Sequence, residues 1–181
     1  MQTMNWLYSR VDLENGNPSK VKSIILLIFS FFFSLRYFDG YRFRNKRYGP
    51  IEENVLIHID TTTGQTKYQW GAKMFYMPHG LTIDHEGNFW VTDTALHQVL
   101  MFKPNDLTHP SLTVGEMFKP GLGRGQFCRP ADVVVMKNGD FFVADGYCNS
   151  RIVKFNRKGK YLMEWGSSMS EKRDCKLIMF D

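Results

Sequence analysis

The sequence predicts an all-β fold, an arc of β-propeller blades each made of four antiparallel strands. The first observation is a repeat: residues 78–93, which open Pro78-His79-Gly80, return 52 residues on as residues 130–145. The proline, the turn glycine (Gly87, Gly139), the aromatic strand and the closing Asp (Asp93, Asp145) keep one register. The second is a hairpin that ends in Trp-Gly both at 70–71 and at 165–166. The third is that residues 49–166 alternate apolar and polar side chains with period two and call for no helix. Repeats of about 40–50 residues built from short strands are the pattern of propeller blades. A unit that cannot bury its own face depends on its neighbours to do so.

Taken in order, residues 1–22 are polar and turn-rich around Asn15-Gly16-Asn17-Pro18, and disorder is expected there. Residues 23–35 carry no charge between Lys22 and Arg36. Thirteen residues are short of the roughly 20 that a spanning helix needs. A signal or membrane anchor, an interfacial segment and an insert foreign to the fold are the three readings of this run. Residues 36–48 are basic and aromatic and read as a linker. Then come a strand at 55–60, the turn Thr61-Thr62-Thr63-Gly64 and a strand at 66–71, which form an outer hairpin. Residues 78–115 hold an inner hairpin followed by an outer one, and 130–166 repeat that plan. Residues 167–181 carry no repeat and read as an unrelated tail. The expected content is therefore about two and a half blades, against the 4–8 of a closed propeller.

The formal charge of +5 comes largely from two clusters: Arg36, Arg42, Arg44, Lys46 and Arg47, and Arg151, Lys154, Arg157, Lys158 and Lys160. Neither accompanies a recognisable nucleic-acid module, so solvated turns and linker are expected rather than a nucleic-acid partner. Hydrophobic content of 43% excludes wholesale disorder. Of three cysteines, Cys128 precedes the second repeat and Cys148 follows its inner hairpin, so a bridge is within reach. Two buried free thiols explain the same placement, and Cys175 stands apart in the charged tail.

The blade pattern, Pro-x-x-apolar through Gly-Asn/Asp-aromatic-x-Val-x-Asp to Arg-Ile-x-x-Phe, resembles the NHL repeat. Three runs are more specific: Tyr76-Met77-Pro78-His79-Gly80-Leu81, Phe127-Cys128-Arg129-Pro130-Ala131-Asp132, and Asp145-Gly146-Tyr147-Cys148-Asn149-Ser150-Arg151. Over about residues 46–166 they resemble the α-amidating lyase family, the lyase domain of peptidylglycine α-amidating monooxygenase.

That resemblance implies a six-bladed propeller of the secretory pathway or extracellular space. It implies cleavage of a peptide ending in α-hydroxyglycine to a peptide amide and glyoxylate, with a zinc held by three histidines and a structural calcium. His79 matches a zinc ligand and stands where the second copy has Ala131. Tyr147 matches the catalytic tyrosine, a base on the α-hydroxyl. A phenol, near pKa 10 in water, needs a neighbouring cation for that role. Leu81 matches a residue whose backbone carbonyl faces the calcium, and Cys128 and Cys148 match a family disulfide. Arg129 and Arg151 read as structural.

His58, His85, His97 and His109 fall on outer strands or turns, where they cannot join His79. A catalytic zinc takes three protein ligands plus water, so inactivity of the chain by itself is expected. Upstream of Arg47 and downstream of Gly166 the family pattern stops, and retained non-coding sequence is the expectation at both edges. The alternative class is a non-catalytic NHL scaffold that binds protein or RNA. Membrane association through residues 23–35 is a third reading, which changes location rather than chemistry.

Overall fold

The computed structural model describes residues 5–13, 21–29, 38–39 and 42–166, the first three strands by their backbone alone. The strands are β1 (Asn5–Leu13), β2 (Val21–Phe29), β3 (Phe38–Asp39), β4 (Arg42–Phe43), β5 (Leu56–Asp60), β6 (Thr66–Trp70) and β7 (Pro78–Ile83). They continue as β8 (Phe89–Asp93), β9 (Gln98–Phe102), β10 (Leu112–Val114), β11 (Asp132–Val135), β12 (Phe141–Asp145), β13 (Arg151–Phe155) and β14 (Tyr161–Gly166). One 3-10 turn, Asn45–Tyr48, is the only helical element among the described residues. Three antiparallel sheets of four strands result: β1-β2-β5-β6, β7-β8-β9-β10 and β11-β12-β13-β14. The innermost strand β7 lies against β11 of the next sheet and against β1 and β2 of the preceding one. This is the predicted arc of propeller blades.

Local chemistry sets the hairpins. At the tip of β5–β6 the Asp60 carboxylate accepts the amides of Thr62 and Thr63. The Asn156 side chain does the same for Lys158 and Lys160 in the third sheet. Such side-chain acceptors reproduce a backbone turn and fix strand register. The closing aspartates act over longer range. Buried Asp93 accepts the amides of Tyr76, Met77, Ala95 and Leu96 and so shapes the chain that leads into β7. Asp145 accepts from the Cys128 amide, the Asn149 side chain and Arg151 Nε. Its repeat position thus organises the chain ahead of β11.

Between the first two sheets Leu56 and Trp70 pack on Leu81, Phe89, Val91 and Phe102. Between the second and third, Trp90, Val99 and Val114 pack on Phe141, Val143, Val153 and Phe155. The second sheet therefore packs one face on the first sheet and the other on the third. Near the axis the sheets approach too closely for a side chain. A Cβ on Gly80 would sit 2.6 Å from the Ala131 carbonyl oxygen and 2.9 Å from Asp132 Cα. The Thr82 hydroxyl donates to the Val133 carbonyl across the same seam.

Within the stretches read from sequence as a polar terminus (1–22) and an apolar segment (23–35), Asn5–Leu13 and Val21–Phe29 form a hairpin. β2 then pairs with β5 from Ser23↔Asp60 to Leu27↔Leu56. The remaining residues of those two stretches, and the tail 167–181, lie outside the described residues. The physical reason is the free edge of β5, whose backbone groups need partners. The run Val-Lys-Ser-Ile-Ile-Leu-Leu-Ile-Phe is rich in the side chains that suit a strand. The blade count becomes three rather than two and a half. The expected linker 36–48 likewise holds the β3–β4 ribbon, and Phe43 is buried against Tyr76, Met77 and Phe118. Among the described residues no helix is long and apolar enough to cross a membrane, which says nothing of strands.

Candidate functional site

The chemistry-bearing residues meet where the second and third sheets converge near the axis. His79, the second residue of strand β7, reaches across the seam. Its Nδ1 lies 2.8 Å from the Ala131 carbonyl oxygen, and its Nε2 lies 2.6 Å from the Tyr147 hydroxyl. A carbonyl can only accept, so Nδ1 carries the proton and Nε2 accepts from the phenol. The ring also meets Tyr147 edge-on, at 5.4 Å between centroids. The Ala131 carbonyl accepts a second bond from Thr92, whose hydroxyl oxygen in turn takes the Gly80 amide. His79 is thereby held at one nitrogen by backbone and presents the other to a loop.

Both groups are half-buried, and burial acts on each in the direction that favours the neutral form. It lowers the His79 pKa from its usual 6.5, opposed by the bond to Ala131 and the nearby Asp132 carboxylate. It raises the Tyr147 pKa from 10, opposed by the Arg129 guanidinium. The pair is thus a neutral imidazole and a neutral phenol sharing one proton position. A ligand that takes the Nε2 lone pair displaces the phenol's hydrogen bond and leaves that hydroxyl to face whatever fills the axis.

Tyr147 holds its place through the loop on which it sits. Cys148, its neighbour, is bridged to Cys128 in this structure. The alternative of two free thiols is set aside. Asn149 donates to Asp145 and to the Gly121 carbonyl. Buried Arg151 binds Asp145, Glu164 and the carbonyls of Leu122 and Gln126. Arg129, read from sequence as structural, donates its backbone amide to Nδ1 of fully buried His97, and its charge opposes the rise of the Tyr147 pKa. The signal that could have found it was its place beside Cys128.

The other predicted residues fall elsewhere. Leu81 is fully buried, opposite Val91, just after the irregular start of β7. His58 meets Tyr68 of its own sheet edge-on, and His85 and His109 lie exposed. Among the described residues no three His, Cys, Asp or Glu side chains gather as a metal site.

The NHL repeat family model matches residues 75–102 and 127–155, which hold β7–β9 and β11–β13. Over 128 residues, 70% of this chain, the sequence is 50% identical to peptidyl-α-hydroxyglycine α-amidating lyase 1 of Drosophila melanogaster. The chain is a relative of the α-amidating lyases. A probable peptidyl-α-hydroxyglycine α-amidating lyase of Caenorhabditis elegans is 40% identical over 78% of this chain. Peptidyl-glycine α-amidating monooxygenase B of Xenopus laevis is 46% identical over 71%. This lyase relative spans 24%, 40% and 15% of the lengths of those three proteins. Among solved structures, a luciferin-regenerating enzyme superposes with a TM-score of 0.53 at 15% identity, over 88% of this chain and 47% of that one. That likeness concerns the fold alone. It agrees with the sheet topology described above.

Proposed function

We propose that this chain carries part of the reaction centre of an α-amidating lyase, acting in a complete propeller on peptides that end in α-hydroxyglycine. The observation that supports the reading is the 2.6 Å contact between His79 Nε2 and the Tyr147 hydroxyl. It joins two residues 68 apart in sequence, at the axis-facing seam of a chain related to lyases of that name. The imidazole has the tautomer of a metal ligand, with Nδ1–H anchored on a backbone carbonyl and Nε2 directed inward. We assign His79 as one zinc ligand on that ground. Tyr147 is assigned as the group that exchanges a proton with the substrate's α-hydroxyl, and Arg129 as the cation that eases loss of the phenol proton.

The described residues do not make a zinc site by themselves, since one imidazole is far from the three protein ligands such a site takes. A calcium at the Leu81 carbonyl is proposed on the family resemblance alone, as is passage through the secretory pathway. The disulfide agrees with an oxidising compartment.

Two measurements test the reading. The purified chain with an α-hydroxyglycine peptide and zinc is expected to release no glyoxylate above background. Family-level turnover would overturn the incomplete-site argument. A chimera that carries residues 49–166 in place of the matching segment of the Drosophila lyase is expected to release glyoxylate. Within it, Tyr147→Phe is expected to lower kcat by about 100-fold or more, the range for a lost acid–base group. A folded chimera that is inactive, or one indifferent to Tyr147→Phe, would overturn the assignment.

A further inference from the structure

Strand β7 departs from the blade pattern at one point, and the departure lies opposite a single residue. From Pro78↔Asp93 to Leu81↔Val91 the chain advances three residues on β7 against two on β8. In the third sheet the matching stretch is regular, with Asp132↔Ala144 followed by Val133↔Val143. His79 and Gly80 thus form a bulge opposite Thr92. An extra residue of this kind bends a strand and re-aims its side chains. None of the three matches the second copy, which has Ala131, Asp132 and Ala144 at these positions. A regular blade therefore needs neither the histidine nor the hydroxyl.

The fully buried Thr92 hydroxyl takes the Gly80 amide at 2.7 Å and donates its own proton to the Ala131 carbonyl at 3.0 Å. The same carbonyl lies 2.8 Å from His79 Nδ1. Both of its lone pairs are then engaged, one by Thr92 and one by His79. One hydroxyl so serves the amide inside the bulge and ties the bulge to the next sheet. Gly80 permits the approach, since a Cβ there would lie 2.6 Å from the Ala131 oxygen.

We infer that Thr92 is a positioning residue of the candidate site: its hydroxyl holds the β7 bulge and the Ala131 carbonyl together, so that His79 keeps its proton on Nδ1 and offers Nε2 to Tyr147. That this geometry serves a reaction rests on the lyase reading. That Thr92 makes the geometry does not, and the ring can be read without turnover.

The test is nitrogen NMR of the full chain, isotope-labelled at histidine, at about pH 8, above the range in which imidazole takes a second proton. The His79 signals are assigned by their absence from His79→Gln. Wild type should show the Nδ1–H tautomer, a slowly exchanging Nδ1 proton and a ring contact with Tyr147. Thr92→Val keeps the side-chain shape and removes the hydroxyl. It is expected to lose the slow Nδ1 proton and the Tyr147 contact, and to speed Gly80 amide exchange by about tenfold, the worth of one hydrogen bond. Thr92→Ser should restore all three, since serine supplies the same donor and acceptor. Circular dichroism checks that the variants keep their strands. If Thr92→Val does not, the wild-type Gly80 amide decides: exchange as slow as in a strand ladder supports the inference, and exchange as fast as in a loop overturns it. A folded Thr92→Val that keeps the His79 tautomer and the Tyr147 contact overturns it too, as does a Thr92→Ser that behaves like Thr92→Val. Neither result bears on the lyase reading, which Tyr147→Phe tests in the chimera.

Discussion

Arg151 shows what one residue of the repeat signature does. Its guanidinium is 4% exposed and binds Asp145, Glu164 and two loop carbonyls at once. Removing it leaves Asp145 buried without its cation, and breaking a buried pair in this way costs about 3–5 kcal/mol. Arg151→Ala is therefore expected to lose that much in a denaturant melt. Arg151→Lys should recover little, because a point charge cannot serve four acceptors in a planar fork. His79 gives the second prediction at this scale. Burial holds its folded pKa below the unfolded value of 6.5, so the fold favours the neutral ring. The stability this contributes is fully present above pH 6.5 and is lost as pH falls from there through the folded value. In the metal-free chain His79→Gln should flatten the fall of Tm between about pH 7 and 5. A variant with the wild-type slope would show that His79 is not the group that titrates.

At the scale of elements, the Cys128–Cys148 bridge spans 20 residues and encloses β11 and β12, tying the loop ahead of one to the loop after the other. Closing a loop of that size removes about 3 kcal/mol of unfolded-chain entropy. Replacing both cysteines by Ser is expected to lower stability by about 2–4 kcal/mol and to increase hydrogen exchange at Tyr147 and Asn149 first. Uniform acceleration over the whole sheet would instead mean that the bridge does not act on that loop. The inner and outer hairpins were legible in the sequence because period-two alternation and turn glycines, followed by Asn or Asp in the inner hairpins, are local signals. Trp70 and Trp165 marked the same strand end in two sheets for the same reason. The β1–β2 hairpin was not legible. Its charge-free run matches a signal core as well as a strand, and its pairing depends on the edge of β5, a property of the fold rather than of local sequence. The bond from the Arg129 amide to the His97 ring was hidden likewise, because it joins the loops of two neighbouring sheets rather than residues at a fixed spacing.

At the scale of the molecule, the amino-terminal hairpin completes the first sheet and so covers an edge that would otherwise template aggregation. β2 pairs with β5 from Leu27↔Leu56 to Ser23↔Asp60, and β5 is in turn held by β6. An amide in a strand paired on both sides opens only with the sheet, whereas one on a bare edge exchanges through local fluctuation. The β5 amides that face β2 should therefore be protected in the intact chain to the same degree as those of β9, which is central in its own sheet. Deleting residues 1–29 should remove that protection, lengthen β5 as a free edge and lower solubility, with dye-binding aggregates forming at concentrations the intact chain tolerates. Exchange at Ile57 and Ile59 in the intact chain measures this directly. If those amides exchange as fast as a loop before any deletion, the first sheet has two strands in solution.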